Sequence, residues 1–405
     1  MQKSKEIYLD YASATPIDSQ VLSVMQKVLK ENFANPGSIH GMGVKSRKIL
    51  EENRGEVASI LGAHSDEVVF TSGATESNNL AMMGVIKNTQ QILPHIITTN
   101  IEHSSVLETC RYLENTKQAE VTYVPVEENG IVDPKKIKKA IKINTVLVSV
   151  MYANNEIGTI QPIMEIAKEI RHYNKNNSKK IIFHTDATQA INYLPIKVEK
   201  LGIDLMSFNG GKIYGPKGVG VLYIKRKTSI SKIMFGGDQE FGLRPGTENV
   251  ASIVGLVEAL KITEKIKDKE EKRLNKLQDY FNKKLKNQGD SLPEGEGISL
   301  VFNGDLEKRL QNNINVTIPK IPSDLLLLEL SARGIYVSEK SACKSGEKAG
   351  SYVIRALHQD SNNSKICKKI DGSLRFSLGR QTTKNDIDYV IKSISEILIK
   401  LNKWY

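Results

Sequence analysis

Cysteine is scarce in this chain: three in 405 residues, at positions 110, 343 and 367. An odd, sparse set with no CxxC pair offers neither a disulfide framework nor an intrinsic metal site, and it fits a reducing compartment. Aromatic residues are few as well, at 6 % with a single Trp, and no RNA- or DNA-binding motif accompanies the lysines. No apolar run approaches the roughly 20 residues that cross a bilayer; the longest lies around Leu325–Leu330. Met1–Asp10 holds two lysines and no apolar segment, so no secretory leader is expected. There is no internal repeat and no low-complexity linker. The expectation is a cytoplasmic globular protein without a membrane or direct nucleic-acid partner.

What is present is ordinary in amount, with 40 % hydrophobic and 25 % charged residues. Lys and Arg number 57 against 46 Asp and Glu, a net charge of +11. The excess is spread as lysine pairs and is densest, mixed with acids, in Lys261–Lys286. Such a surface suits anionic metabolites or an acidic partner. The length suggests two or three domains at about 150 residues each.

Apolar strands and helical stretches alternate through the first 260 residues. Strands are expected at Glu67–Thr71, His95–Thr99, Glu120–Pro125, Thr145–Tyr152, Lys180–Thr185, Leu205–Phe208 and Val219–Ile224. Helices are expected at Val21–Leu29, Val44–Leu61, Glu76–Lys87, Ser104–Asn115, Pro134–Ile141, Ile163–Asn174 and Val250–Ile262. That order implies βαβ units and a mostly parallel seven-stranded sheet covered on both faces. Beyond it, Ile262, Ile266, Leu274, Leu277, Phe281 and Leu285 mark an amphipathic helix. Strands at Ile314–Ile318 and Leu374–Leu378 and a last helix from Lys384 follow. The division expected is a large α/β domain over 18–260 and a smaller α+β domain made of 1–17 and 261–405.

Several segments sit at strand ends, where open α/β sheets place ligands. Thr71-Ser72-Gly73-Ala74-Thr75 opens a helix with small residues and free N–H groups that suit a phosphate; the same residues suit an ordinary cap. Ile181–Gln189 is an apolar strand ending in Asp186, which needs a partner if buried; a plain helix cap is the alternative. Lys212 lies between two glycine turns, in Asn209-Gly210-Gly211-Lys212 and Gly215–Gly218. Partial desolvation there would favour the neutral amine of a Schiff base, although most lysines are simply exposed. His103 follows a strand and could stack on a ring and move protons, or merely begin a helix. In Ser373–Gly379 the alternation sets Arg375 and Ser377 opposite Leu374, Phe376 and Leu378. Arg375 could clamp a carboxylate from there, or form a surface ion pair. Cys343, in Ser341–Gly346, is flanked by lysines that favour its thiolate. Cys367 has similar neighbours, so local charge does not choose between them.

In order and spacing these segments resemble the cysteine desulfurases, pyridoxal-phosphate (PLP) enzymes of fold type I in the class V aminotransferase group. The resemblance runs from Tyr8-Leu9-Asp10-Tyr11-Ala12 to about Tyr389. It includes Asn35–His40, Thr71–Asn78, Glu102-His103, Asn154–Gly158, His184–Gln189, Lys212–Gly218, Gly236–Asn249, Ser341-Ala342-Cys343 and Arg375–Arg380. It implies PLP as cofactor and Lys212 as its Schiff-base lysine. Asp186 would pair with the ring nitrogen, Gln189 with the ring hydroxyl, and His103 would stack on the ring as acid/base. Ala74, Thr75 and Asn209 would hold the phosphate, and Thr247 would reach it from the second subunit of a homodimer. Asn155, also near the cofactor, and Arg375 would hold the substrate carboxylate. Cys343 would accept the sulfur, with a transient iron–sulfur contact conceivable there and no intrinsic metal.

The resemblance implies L-cysteine as substrate, alanine as product, and a persulfide passed to an acceptor or scaffold protein for iron–sulfur cluster assembly or tRNA thiolation. Rival expectations are a related PLP lyase such as a selenocysteine lyase, or a catalytically impaired sulfur-assembly binding protein. Three places depart from the family: Asn209-Gly210-Gly211 replaces its usual Ser-Gly-His, Lys344 follows Cys343, and Gln359–Asp371 is unusual. A long docking tail after the last helix is not expected.

Overall fold

A computed structural model of the chain describes residues 6–290, 300–319, 321–339, 350–358 and 373–401. Its centre is a seven-stranded sheet of β2 (Val68–Thr71), β3 (His95–Thr99), β4 (Glu120–Val124), β5 (Thr145–Ser149), β6 (Ile182–Asp186), β7 (Leu205–Asn209) and β8 (Gly220–Ile224). The order across it is β2-β8-β7-β6-β5-β3-β4. Only β8 runs against its neighbours. The central strands β3, β5 and β8 are buried along their whole length. This is why they read as unbroken apolar or Thr-rich runs and not as alternating patterns.

Helices α3 (Ala74–Asn88), α4 (Ser104–Asn115), α5 (Pro134–Ala140), α6 (Ile163–Asn176) and the short α7 (Val198–Leu201) connect the strands. Before them come α1 (Ser19–Glu31) and α2 (Gly41–Leu61). Asp18 caps α1 through its side chain, and Gly62, at φ 71°, ends α2 in a left-handed turn.

The two helices expected on either side of residue 262 are one, α8 (Val250–Asp290). No proline and no glycine interrupts it between Gly255 and Gly289. Its start packs on α1: a Cβ on Gly255 would stand 2.6 Å from the Met25 sulfur. Its later turns serve a second region. There Gln278 Nε2 donates to the carbonyls of Leu310 and Asn313, and Phe281 packs on Phe376 with ring centres 5.1 Å apart. That region holds β9 (Val301–Phe302), β10 (Asn313–Thr317) and β12 (Ser373–Ser377) in an antiparallel sheet. Helices α9 (Ser323–Ser331), α10 (Tyr352–Ala356) and α11 (Lys384–Leu401) belong to it as well. The N-terminal strand β1 (Ile7–Tyr8) pairs with β11 (Ile335–Tyr336) in parallel.

Among the described residues no helix is long and apolar enough to cross a membrane. Cys343 with Lys344, Cys367 and the stretch Gln359–Asp371 lie outside the described residues. The remaining cysteine, Cys110, is buried on α4, and burial pushes its thiol pKa up, away from reactivity.

Candidate active site

The C-terminal ends of five sheet strands converge on one cavity of about 190 Å³. After β2 come Ala74 and Thr75, and after β3 comes His103. After β5 come Met151, Ala153 and Asn155; β6 supplies Asp186, followed by Thr188 and Gln189; β7 supplies Asn209, followed by Lys212. Ala12 and Ser13 from the N-terminal segment and Arg375 from β12 complete the wall. A second cavity of about 260 Å³ shares Ser13, Ala74, Thr75, Asn209 and Lys212, and adds Gly211 and Lys217. Of the described residues given a site role by the sequence, all but Thr247 line the first cavity. Thr247 is exposed on the segment before α8.

The turn from β2 into α3 is held by glycine and by two anchors. A Cβ on Gly220 of β8 would come within 2.7 Å of the Gly73 backbone, so only glycine lets strand and turn touch. Glu76 accepts the Ser72 N–H at 2.7 Å and pairs with Arg244 Nε at 3.0 Å. Gly73 is the N-cap of α3 and no side chain caps it, so the first-turn N–H groups face the Thr75 corner.

Asp186 is the last residue of β6 and is buried. Its Oδ1 accepts the Thr188 N–H at 2.9 Å and its Oδ2 accepts Asn78 Nδ2 at 2.7 Å. His184 shares its face of the strand. That ring bridges Ser149 and Ser207 across three strands, at 2.8 and 3.0 Å, and burial pushes it down to about 4. A neutral His184 lends Asp186 no positive charge. Glu102 beside the site is fully buried and is pushed up to about 8, chiefly by desolvation, with the Asp186 charge adding to it. It accepts the Thr99 hydroxyl at 2.7 Å and the Met151 N–H at 3.0 Å. The Glu102 carboxyl is thus mostly neutral near pH 7.

Lys212 Nζ donates to the backbone carbonyls of Ala12, at 2.9 Å, and Ser13, and Gln189 Nε2 donates to the same Ala12 oxygen at 2.9 Å. Arg375 is 1 % exposed, so its ion pair is not a surface one. Its Nη2 meets Asp10 Oδ1 at 2.6 Å and Ser13 Oγ at 2.7 Å, and Nη1 meets the Asn155 carbonyl at 2.9 Å. His103 both caps α4 and lines the cavity.

Four buried polar atoms on this wall have no hydrogen-bond partner among the described residues: Asn155 Oδ1, Thr188 Oγ1, Asn209 Oδ1 and Arg375 Nε. Unmade hydrogen bonds cost about 1–3 kcal/mol each when buried, so their gathering on one wall marks a place shaped for a polar ligand. Asp10, Asn78, Ser105 and Thr188 were not singled out in the sequence, although the motifs Tyr8–Ala12, Thr71–Asn78 and His184–Gln189 contain three of them.

A family model described as aminotransferase class-V matches residues 7–390. The chain is 43 % identical over 398 residues to cysteine desulfurase IscS of Dictyoglomus turgidum, covering 98 % of this chain and 95 % of that protein. It is 38 % identical to the putative cysteine desulfurase IscS 1 of Bacillus subtilis, covering 98 % and 100 %. Among solved structures it is similar to a NifS-like protein, at TM-score 0.87 and 36 % identity over 98 % of this chain and all of that one. It is also similar to SspA in complex with cysteine, at TM-score 0.74 and 31 % identity over 92 % and 98 %.

Proposed function

We propose, from the premise that the chain belongs to the class-V aminotransferase family and to the cysteine desulfurases within it, that it moves the sulfur of L-cysteine onto Cys343 and releases L-alanine. The enzyme is PLP-dependent, and the residues present fit that cofactor. The observation that carries the reading is the convergence of Asp186, Lys212, His103 and Arg375 on one cavity whose wall also bears unsatisfied buried polar atoms.

Asp186 would pair with the ring nitrogen, with no cation from His184 competing for it. Gln189 would meet the ring hydroxyl. Ala74, Thr75 and Asn209 would hold the phosphate at the start of α3. When bound, the cofactor supplies an electron sink that weakens the substrate bond between Cβ and sulfur. Lys212 would hold the cofactor covalently and move the proton at the substrate Cα. Arg375 Nε and Asn155 would take the substrate carboxylate, and a charge-assisted bond to the arginine would orient it. His103 would stack on the ring and meet the substrate sulfur with its imidazole. The Cys343 thiolate attacks that sulfur and becomes a persulfide as the Cβ–S bond breaks. The electron pair of that bond stays with the carbon fragment, which takes up a proton at Cβ and leaves as alanine.

We take 18–260 as the cofactor-binding domain, and 1–17 with 261–405 as the small domain that carries Cys343. The active form is a homodimer. This is supported by exposed apolar side chains concentrated in two segments, Leu29, Phe33, Ile39 and Val44 in one and Met234, Phe235 and Phe241 in the other. Thr247, exposed beyond the second segment, would complete the phosphate site of the other subunit. The persulfide passes to an acceptor protein of iron–sulfur cluster assembly or tRNA thiolation, one whose acidic face matches the net charge of +11.

The test is alanine formation from L-cysteine by the PLP-loaded protein. Cys343→Ala is expected to keep the bound cofactor's visible absorbance and to lose persulfide formation. Persulfide formed by Cys343→Ala at the wild-type rate would overturn the assignment.

A further inference from the structure

A row of side chains joins Asp186 to His103. Asn78, on α3, is fully buried. Its Nδ2 donates to Asp186 Oδ2 at 2.7 Å and to Ser105 Oγ at 2.8 Å. Ser105 Oγ stands 2.9 Å from His103 Nδ1, and the Ser105 backbone N–H donates to the same nitrogen at 3.1 Å.

The hydrogens in this row have one consistent placement. A backbone N–H can only donate, so Nδ1 carries a lone pair and not a hydrogen. Turned the other way, the Asn78 amide would set its oxygen 2.7 Å from a carboxylate oxygen, which is repulsive. Asn78 therefore gives one hydrogen to Asp186 and the other to Ser105. The Ser105 oxygen accepts it and sends its own hydrogen to Nδ1. A neutral imidazole has a single N–H, and here it lies on Nε2.

We propose that Asn78 and Ser105 are positioning residues that hold neutral His103 as the Nε2–H tautomer, so that the ring meets the substrate sulfur as a hydrogen-bond donor. The identity of that sulfur rests on the functional reading above; the tautomer does not. A donor at this place favours the thiolate form of the substrate. A neutral ring acting as base through Nε2 would need its hydrogen on Nδ1. That would turn the Ser105 hydroxyl around and set two N–H groups against each other. Removing a positioning partner of a catalytic imidazole lowers turnover more than binding.

The experiment is ¹⁵N NMR of histidine-labelled, PLP-loaded full-length protein at a pH where His103 is neutral. Its ring signals are identified by their loss in His103→Gln. The expected pattern is Nε2–H in the wild type. In Ser105→Ala, some Nδ1–H form is expected, with kcat about tenfold lower and cofactor affinity and KM unchanged. An Nδ1–H pattern in the wild type, which needs no variant to fold, overturns the proposal. So does a Ser105→Ala protein with the wild-type tautomer and kcat, or one that has lost cofactor affinity in step with kcat. Alanine release is scored in parallel. An Nδ1–H ring in protein that releases alanine overturns this proposal alone, whereas an Nε2–H ring without alanine release overturns the functional reading.

Discussion

At the Asp186 end of the cavity, a carboxylate, an amide, a hydroxyl and an imidazole are joined in one row at 2.7–2.9 Å. At the Asn209 end, Asn209 Oδ1 has no partner among the described residues and residue 211 has no side chain. The first end is where electronic chemistry would occur, and it is rigid before any ligand arrives. The second would hold a phosphate, which backbone N–H groups and a lysine rim can do without a fixed side-chain array. The difference teaches that this chain separates holding the ring in register from holding the cofactor at all.

Lys212 belongs to both ends, and removing it should have the largest effect. Lys212→Ala is expected to lower alanine release by ~10³-fold or more, since it loses both the covalent tether and the proton carrier; an amino-acid analyser on cysteine reactions checks it. Asp186→Asn acts at the rigid end only. It should lower kcat by ~10²-fold and shift the bound cofactor's visible absorbance, as expected for loss of a preorganised charge.

Glu102 tests the same end through stability. A buried carboxyl raised to about 8 keeps its proton in the folded state while the unfolded chain releases it from about pH 4.5 upward. Its contribution is therefore full below the unfolded value and is lost as pH rises through about 8. Glu102→Gln should be relatively more stable than the wild type at pH 8 than at pH 5, by about 3 kcal/mol in denaturant unfolding.

The loosely furnished end should respond least, and favourably. A Cβ on Gly211 would meet Lys217 Cγ at 3.4 Å and Asn209 Oδ1 at 3.8 Å, ordinary contacts, so a side chain fits. Gly211→His should tighten PLP binding severalfold in fluorescence titration, the scale of one added partly exposed hydrogen bond. If it left affinity unchanged, residue 211 would not face the phosphate.

Much of this was legible in the chain. All seven strands of the large sheet lie where apolar runs alternate with helices, because buried parallel strands leave that mark. Strand alternation sets Arg375 on the face opposite Leu374, Phe376 and Leu378, but it leaves open whether that face meets the cavity or a surface ion partner. What could not be read depends on distant segments meeting. β1 pairs with β11 across more than 300 residues. Arg54 on α2 grips Glu240 with two bonds at 2.7 and 2.8 Å, both residues buried, and Glu240 itself has φ 48°. Neither contact has a local pattern. Asn78 lay inside a recognised motif, yet its role needs α3 to cross behind β6, and Ser105 looked like any helix-start serine. The division at residue 260 followed a change in composition, while α8 runs straight through it because nothing there breaks a helix.

The most direct measurement is to incubate the PLP-loaded protein with L-cysteine and locate the added sulfur by peptide mass spectrometry while counting alanine. The expected result is the mass of one extra sulfur on the peptide carrying Cys343, formed together with alanine. Alanine released with that sulfur on Cys110 or Cys367, or on no cysteine, would contradict it.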